Sequence, residues 1–184
     1  MKTYAGDQRT LPFILADKAR TIGHKVMVRD QDQSLTYAEV EEKANRMAPT
    51  LIDEAGVKKG DTVAVMLPNC ADYIVVQFGV AKTGAIQVPI NNQAKGDLLV
   101  HFLNNSEAVV VLADRQFLPT LQSLQDRLAW MKRVLVYPDK EDNADKMFHG
   151  HCEVVSYQEL FNGKAAPPEA PLSRTDPVDI FYTS

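Results

Sequence analysis

His149-Gly-His151-Cys152 places three metal-capable side chains within four residues of each other. A structural zinc ion needs four ligands, and no second cluster completes the set, so the expectation is a polar loop. Cys70 follows a short apolar run and is a nucleophile in principle. No spacing singles out a histidine partner for it, which favours an inert buried thiol. His24 and His101 are isolated, and no Ser, His and Asp constellation can be assembled around them. Gly56-Val-Lys-Lys-Gly-Asp-Thr62 carries the glycines and lysines of a phosphate cradle at the wrong spacing. It also leads into a strand rather than a helix whose N-terminus would hold an anion, so it reads as a connecting turn. Asp139-Lys-Glu-Asp142 reads as a solvated face. These residues yield no catalytic set and no metal ligands.

The elements that would position any site are easier to read. Thr62 to Leu67 is a β-branched apolar run opened by Gly60-Asp61 and closed by Pro68-Asn69, the pattern of a strand buried on both faces. Tyr73, Val76, Gln77, Val80 and Ala81 recur at helical spacing, and Gly84 supplies the stop. Ala85 to Val88 is a second short run ended by Pro89, which makes the whole a βαβ unit with parallel strands. The alternation continues: helix over 97–104, strand over 108–113, helix over 118–129, strand over 133–137, then a short strand at 153–155. Ser156-Tyr-Gln-Glu159 has capping-box spacing before a one- or two-turn helix. Ala165 to Pro177, with four prolines, is an extended connector, and Val178 to Tyr182 begins one more strand. The fold class is therefore α/β, a doubly wound, mainly parallel sheet with flanking helices.

Upstream, 11–20 reads as a helix and 25–36 as a small hairpin. Thr36-Tyr-Ala-Glu39 has the spacing of a capping box. The helix it opens carries Val40, Ala44, Met47, Ala48, Leu51 and Ala55 on one face, with a kink expected at Pro49 and an end at Gly56. Length and composition bound the rest. The chain has 184 residues, 45% apolar and 24% charged, which fits a globular protein with a sizeable core. A net charge of −4 gives no reason to expect nucleic-acid binding. Two cysteines far apart suggest a reducing compartment, and no apolar stretch approaches the ~20 residues of a membrane span. With no signal-peptide pattern at the N-terminus, the expectation is a cytoplasmic, soluble protein.

Taken together, Leu35-Thr-Tyr-Ala-Glu39, Gly56 through Asn69, Gly84-Ala-Ile-Gln-Val-Pro-Ile-Asn91 and Asp179-Ile-Phe-Tyr-Thr-Ser184 resemble the adenylate-forming acyl-CoA synthetase (acid–CoA ligase) family. The phrasing around Asn69-Cys70 and Pro89-Ile-Asn91 looks most like the branch that includes carnitine- and betaine-type CoA ligases. The resemblance implies the N-terminal part of that family's large domain, with polypeptide continuing beyond Ser184. It also implies a division: residues 1–58, helices and hairpin, pack on a sister lobe built from later sequence, and 59–184 form a parallel lobe. The helix from Tyr37 to Ala55 is then expected to expose part of its apolar face or to bury it against a second copy, making a homo-oligomer.

In the family the last phrase opens a mobile loop over the phosphates of ATP. Thr183 and Ser184 match its first two positions, so the resemblance assigns them as phosphate contacts, hydroxyl donors meeting negative charge. Co-substrates implied are ATP with Mg2+, CoA and a small carboxylic acid. The reaction implied is attack of the carboxylate on the α-phosphorus, then displacement of AMP by the CoA thiol. The residues for adenine, acid, metal and catalysis would all lie beyond Ser184, so this chain alone is expected to be inactive. Two other readings stay open: a non-catalytic doubly wound binding module, and an adenylate-forming enzyme with a different acceptor.

Overall fold

The computed structural model describes residues 3–31, 33–139, 146–150, 152–163, 165 and 172–182. Thr10 caps helix α1 (Leu11–Ile22), its hydroxyl accepting from the Phe13 amide at 3.4 Å. Strands β1 (Val26–Arg29) and β2 (Ser34–Thr36) form the expected antiparallel hairpin. Helix α2 (Tyr37–Asp53) opens on the capping box read from the sequence. The Thr36 hydroxyl accepts from the Glu39 amide at 3.3 Å, and Glu39 Oε2 accepts from the Thr36 amide at 2.7 Å. These bonds favour the charged carboxylate, and so hold the Glu39 pKa below its usual value. Pro49 lies within α2, which runs on past it to Asp53.

The remaining elements alternate: β3 (Thr62–Met66), α3 (Ala71–Thr83), β4 (Ile86–Pro89), α4 (Gly96–Asn105), β5 (Val110–Asp114), α5 (Leu118–Leu124), β6 (Arg133–Tyr137) and β7 (Glu153–Ser156). A 3-10 turn over Tyr157–Phe161 follows, started by the capping box at Ser156. The five later strands form one parallel sheet in the order β4-β3-β5-β6-β7. Side chains alternate between its faces. Val63, Val65, Val110, Leu112 and Leu135 join a core with α2, α3, Tyr157 and Leu160. Ala64, Met66, Val88, Val111 and Val134 join a second core with Leu99 and Leu103 of α4 and Leu118 and Leu121 of α5. Sheet burial on both faces explains the unbroken apolar runs in the sequence.

Two expectations change. The helix anticipated over 118–129 ends at Leu124 and tightens into a 3-10 turn at Gln125–Arg127. Asn104 captures that end: its amide donates to the Arg127 carbonyl at 2.8 Å, and its Oδ1 accepts from the Ala129 amide at 3.0 Å. A side chain 23 residues away thus replaces the next helical turn. The second concerns α2, whose apolar face was expected to be partly exposed or to be buried against a second copy. Val40, Ala44, Met47, Ala48 and Leu51 are all buried, because α3 lies against that face. Gly79 permits the close approach: a Cβ there would stand 2.9 Å from Met47 Cγ. A second helix–helix tie is Lys82, 3% exposed, whose ammonium meets Glu41 Oε1 at 3.1 Å and Oε2 at 3.0 Å. Among the described residues of this N-terminal part, the large apolar side chains left exposed are Phe13, Val26 and Ile52.

Candidate functional site

In an open parallel sheet, ligands bind beyond the carboxyl ends of the strands, where connections from neighbouring strands leave in opposite directions. Here that place lies between β3, whose helix α3 returns to β4 over one face, and β5, whose helix α5 leads to β6 over the other. The loops after β3 and β4 are tied together there, Asn92 Nδ2 donating to the Leu67 carbonyl at 2.9 Å.

The expected strand over 178–182 runs beside the outer side of β4, parallel to it, through a single rung. The Gln87 amide donates to the Val178 carbonyl at 2.8 Å, and the Ile180 amide donates to the Gln87 carbonyl at 2.9 Å. Pro89, at the same edge, has no amide to extend the ladder. Asp179 and Gln87 are paired on the α3 side of the sheet. Burial pushes the Asp179 carboxyl up, opposed in part by a hydrogen bond from the Gln77 side chain. Among the described residues, neither Asp179 Oδ1 nor Gln87 Oε1 finds a donor. On the opposite face Ile180 and Tyr182 pack towards the α4–α5 core. The Tyr182 ring stacks on Phe102 with centroids 4.5 Å apart, and its hydroxyl donates to Asn105 Oδ1 at 2.8 Å. A recess of about 430 Å³ opens beside it, walled by Pro89, Leu98, Phe102 and Tyr182, with Asn91, Gln93 and His101 supplying polar groups. Thr183 and Ser184, the assigned phosphate contacts, lie outside the described residues.

A second polar cluster sits at the start of α3. Asp72 accepts from Lys43 Nζ at 3.1 Å, Gln33 Nε2 at 3.2 Å and the Tyr137 hydroxyl at 3.2 Å. Asp30 covers the first amide of the helix, accepting from Ala71 N. The α3 N-terminus is thereby filled by the protein's own carboxylate and is not open to an anion. Burial does most to raise the Tyr137 phenol, and the nearby Cys70 and Asp72 push it the same way. Burial likewise raises the Cys70 thiol, so little of it is thiolate near neutrality. None of this was visible from spacing, because the partners of Asp72 lie 29 to 65 residues away.

The other chemistry-bearing residues scatter. His149 pairs with Asp126, Nε2 to Oδ1 at 2.9 Å, and its amide donates to Gln125 Oε1. Cys152 packs against the α5-side core, where burial pushes its thiol up to about 11. His151 lies outside the described residues. Among the described residues no helix is long and apolar enough to cross a membrane.

A five-stranded parallel sheet with helices packed on both faces defines the class of doubly wound α/β scaffolds. Within that class, a family model described as AMP-binding enzyme matches residues 15–184, and the chain belongs to that family. The crotonobetaine/carnitine–CoA ligase of Escherichia coli O127:H6 is 34% identical over 175 residues, 91% of this chain and 32% of the relative. Among solved structures, an anthranilate–CoA ligase bound to anthranoyl-AMP superposes with a TM-score of 0.82 at 21% identity, covering all of this chain and 33% of that one. Mycobacterium smegmatis MbtA in its apo form gives 0.79 at 27% identity, over 95% of this chain and 31% of its own. The chain thus spans about a third of the length of the curated relatives it matches.

Proposed function

We propose that these residues form the N-terminal scaffold of an ATP-dependent acid–CoA ligase acting on a small carboxylic acid. One observation carries the reading: identity to the crotonobetaine/carnitine–CoA ligases extends over 91% of the chain, and the family match runs on through the phrase Asp179–Ser184. In the reaction an acid carboxylate oxygen attacks the α-phosphorus of ATP, with Mg2+ accompanying the nucleotide as part of the substrate. The bond to the β,γ-phosphates breaks, and pyrophosphate leaves with the electron pair. The thiol of CoA, losing its proton, then adds to the acyl carbon, and AMP departs to leave a thioester. Both steps demand that charge spread over phosphate oxygens be met by fixed donors and that the attacking oxygen be held in line.

This chain supplies the platform for that demand. The sheet fixes β4, β4 fixes residues 178–182 through Gln87, and Thr183 and Ser184 come next, offering hydroxyl donors to the phosphates. The exposed Phe13, Val26 and Ile52 then serve as contacts for the lobe built from later sequence. On this reading the catalytic groups belong to the rest of the ligase, and residues 1–184 alone are expected not to adenylate. Pyrophosphate release tests this directly. Polypeptide of the relatives' full length, given ATP-Mg and crotonobetaine or carnitine, should release pyrophosphate in proportion to acid, and the 184-residue chain should release none. Turnover by the short chain would overturn the scaffold reading. A full-length protein silent with a panel of small carboxylic acids would overturn the ligase reading.

A further inference from the structure

A segment attached to its sheet by one rung pivots about that rung. Residues 178–182 hold β4 only through Gln87, so main-chain pairing alone leaves their direction unset. Asp179 accepts a side-chain hydrogen bond from Gln77 at the rung itself, and Tyr182 provides the hold nearest Thr183. Its ring lies on Phe102 at 4.5 Å and an interplanar angle of 26°, with the His101 ring edge-on at 6.2 Å. Its hydroxyl reaches Asn105 Oδ1 at 2.8 Å. All three partners belong to α4, and α4 is itself fastened. Leu99 and Leu103 are buried in the core, and the Ser106 carbonyl that follows the helix accepts from the Thr62 hydroxyl at 2.6 Å. Phe181, by contrast, lies outside that core and is 69% exposed.

We propose that Tyr182 is a positioning residue. Stacked on Phe102 and bonded to Asn105, it fixes the direction in which the chain leaves the sheet edge towards Thr183 and Ser184. The inference rests on the ligase reading above. Phosphate contacts are worth little unless held to a fraction of an ångström, and a residue adjoining them, locked on a rigid helix, sets that tolerance. The hydroxyl bond is solvent-exposed and the stack is not fully covered, so the ring should carry more of the effect than the hydroxyl.

The test uses full-length protein carrying Tyr182→Ala, Tyr182→Phe or Asn105→Ala. Three quantities are read: KM for ATP-Mg and for the acid, melting temperature, and hydrogen exchange at the Ile180 amide. In Tyr182→Ala, KM for ATP-Mg should rise roughly tenfold, the scale of a lost aromatic pair with its hydrogen bond. KM for the acid and the melting temperature should stay put, and the Ile180 amide should exchange faster. Tyr182→Phe should restore most of the ATP affinity, and Asn105→Ala should resemble Tyr182→Phe. If the wild type turns over but Ile180 exchange is unchanged in Tyr182→Ala, the latch is refuted. If both KM values rise together while the melting temperature falls, the role is structural and the proposal is also refuted. A wild type without turnover refutes the ligase reading and the phosphate-directed role together, whatever Ile180 does.

Discussion

At the scale of single residues, Asp179 gives the sharpest pH prediction. Its carboxyl is raised by burial, so it ionises more easily in the unfolded chain than in the folded one. The sign follows from linkage. Stability is greatest below the ordinary carboxylate pKa and declines as pH rises through the raised folded value, beyond which the loss is constant. Asparagine has nothing to ionise. Asp179→Asn should therefore melt above wild type at pH 7, and the two curves should converge near pH 3. An Asn variant that melts lower at pH 7 would show that the carboxylate is wanted as an acceptor. Residues of this kind also mark the limit of sequence reading. Asp179 was legible as part of a family phrase, but its pairing with Gln87 was not. Asp72 carried no signal at all, because Lys43, Gln33 and Tyr137 converge on it only after the sheet has formed.

At the scale of elements, α2 against α3 decides most. Exchanging glycine for alanine inside a helix ordinarily gains about 1 kcal/mol. Gly79→Ala should do the opposite, because the added methyl meets Met47 Cγ at 2.9 Å and α2 must shift or strain. A net loss of about 1–2 kcal/mol in urea unfolding is expected, the cost of an overpacked core after the propensity gain. A neutral or stabilised variant would mean that Met47 swings aside freely. The strands were nearly all readable, since burial on both faces writes itself as short β-branched runs and Pro or Gly punctuates the ends. The β6 strand matches its expected bounds, and the βαβ unit at 62–89 differs by a residue or two at its ends. The helix at 118 failed for a physical reason: periodicity records which face is apolar, not that Asn104 will seize the chain at Arg127. The segment at 178–182 fell between, correctly extended but joined by one bridge because Pro89 offers no amide.

At the scale of the whole molecule, the N-terminal part and the sheet share one core. Leu15, Leu35, Val40, Met47 and Leu51 cluster with Val63, Val65, Leu112 and Tyr157. Residues 59–184 expressed without 1–58 should therefore lack a cooperative thermal transition, since the apolar side of α3 would meet water. Calorimetry showing a sharp, reversible melt for 59–184 would mean that the division near residue 58 is a boundary between independent folding units. The family resemblance could suggest that division, but not how much surface crosses it. That quantity depends on which helix faces meet, here at Met47 and Gly79.

The flank of β4 has a practical corollary for anyone handling the protein. Residues 178–182 already occupy the amide and carbonyl of Gln87, and an imino acid stands two residues further on, so a foreign strand arriving at this border would find no rung to grip. Such a margin discourages strangers from zipping on, so samples kept concentrated should stay clear of fibrous aggregates seeded from this side.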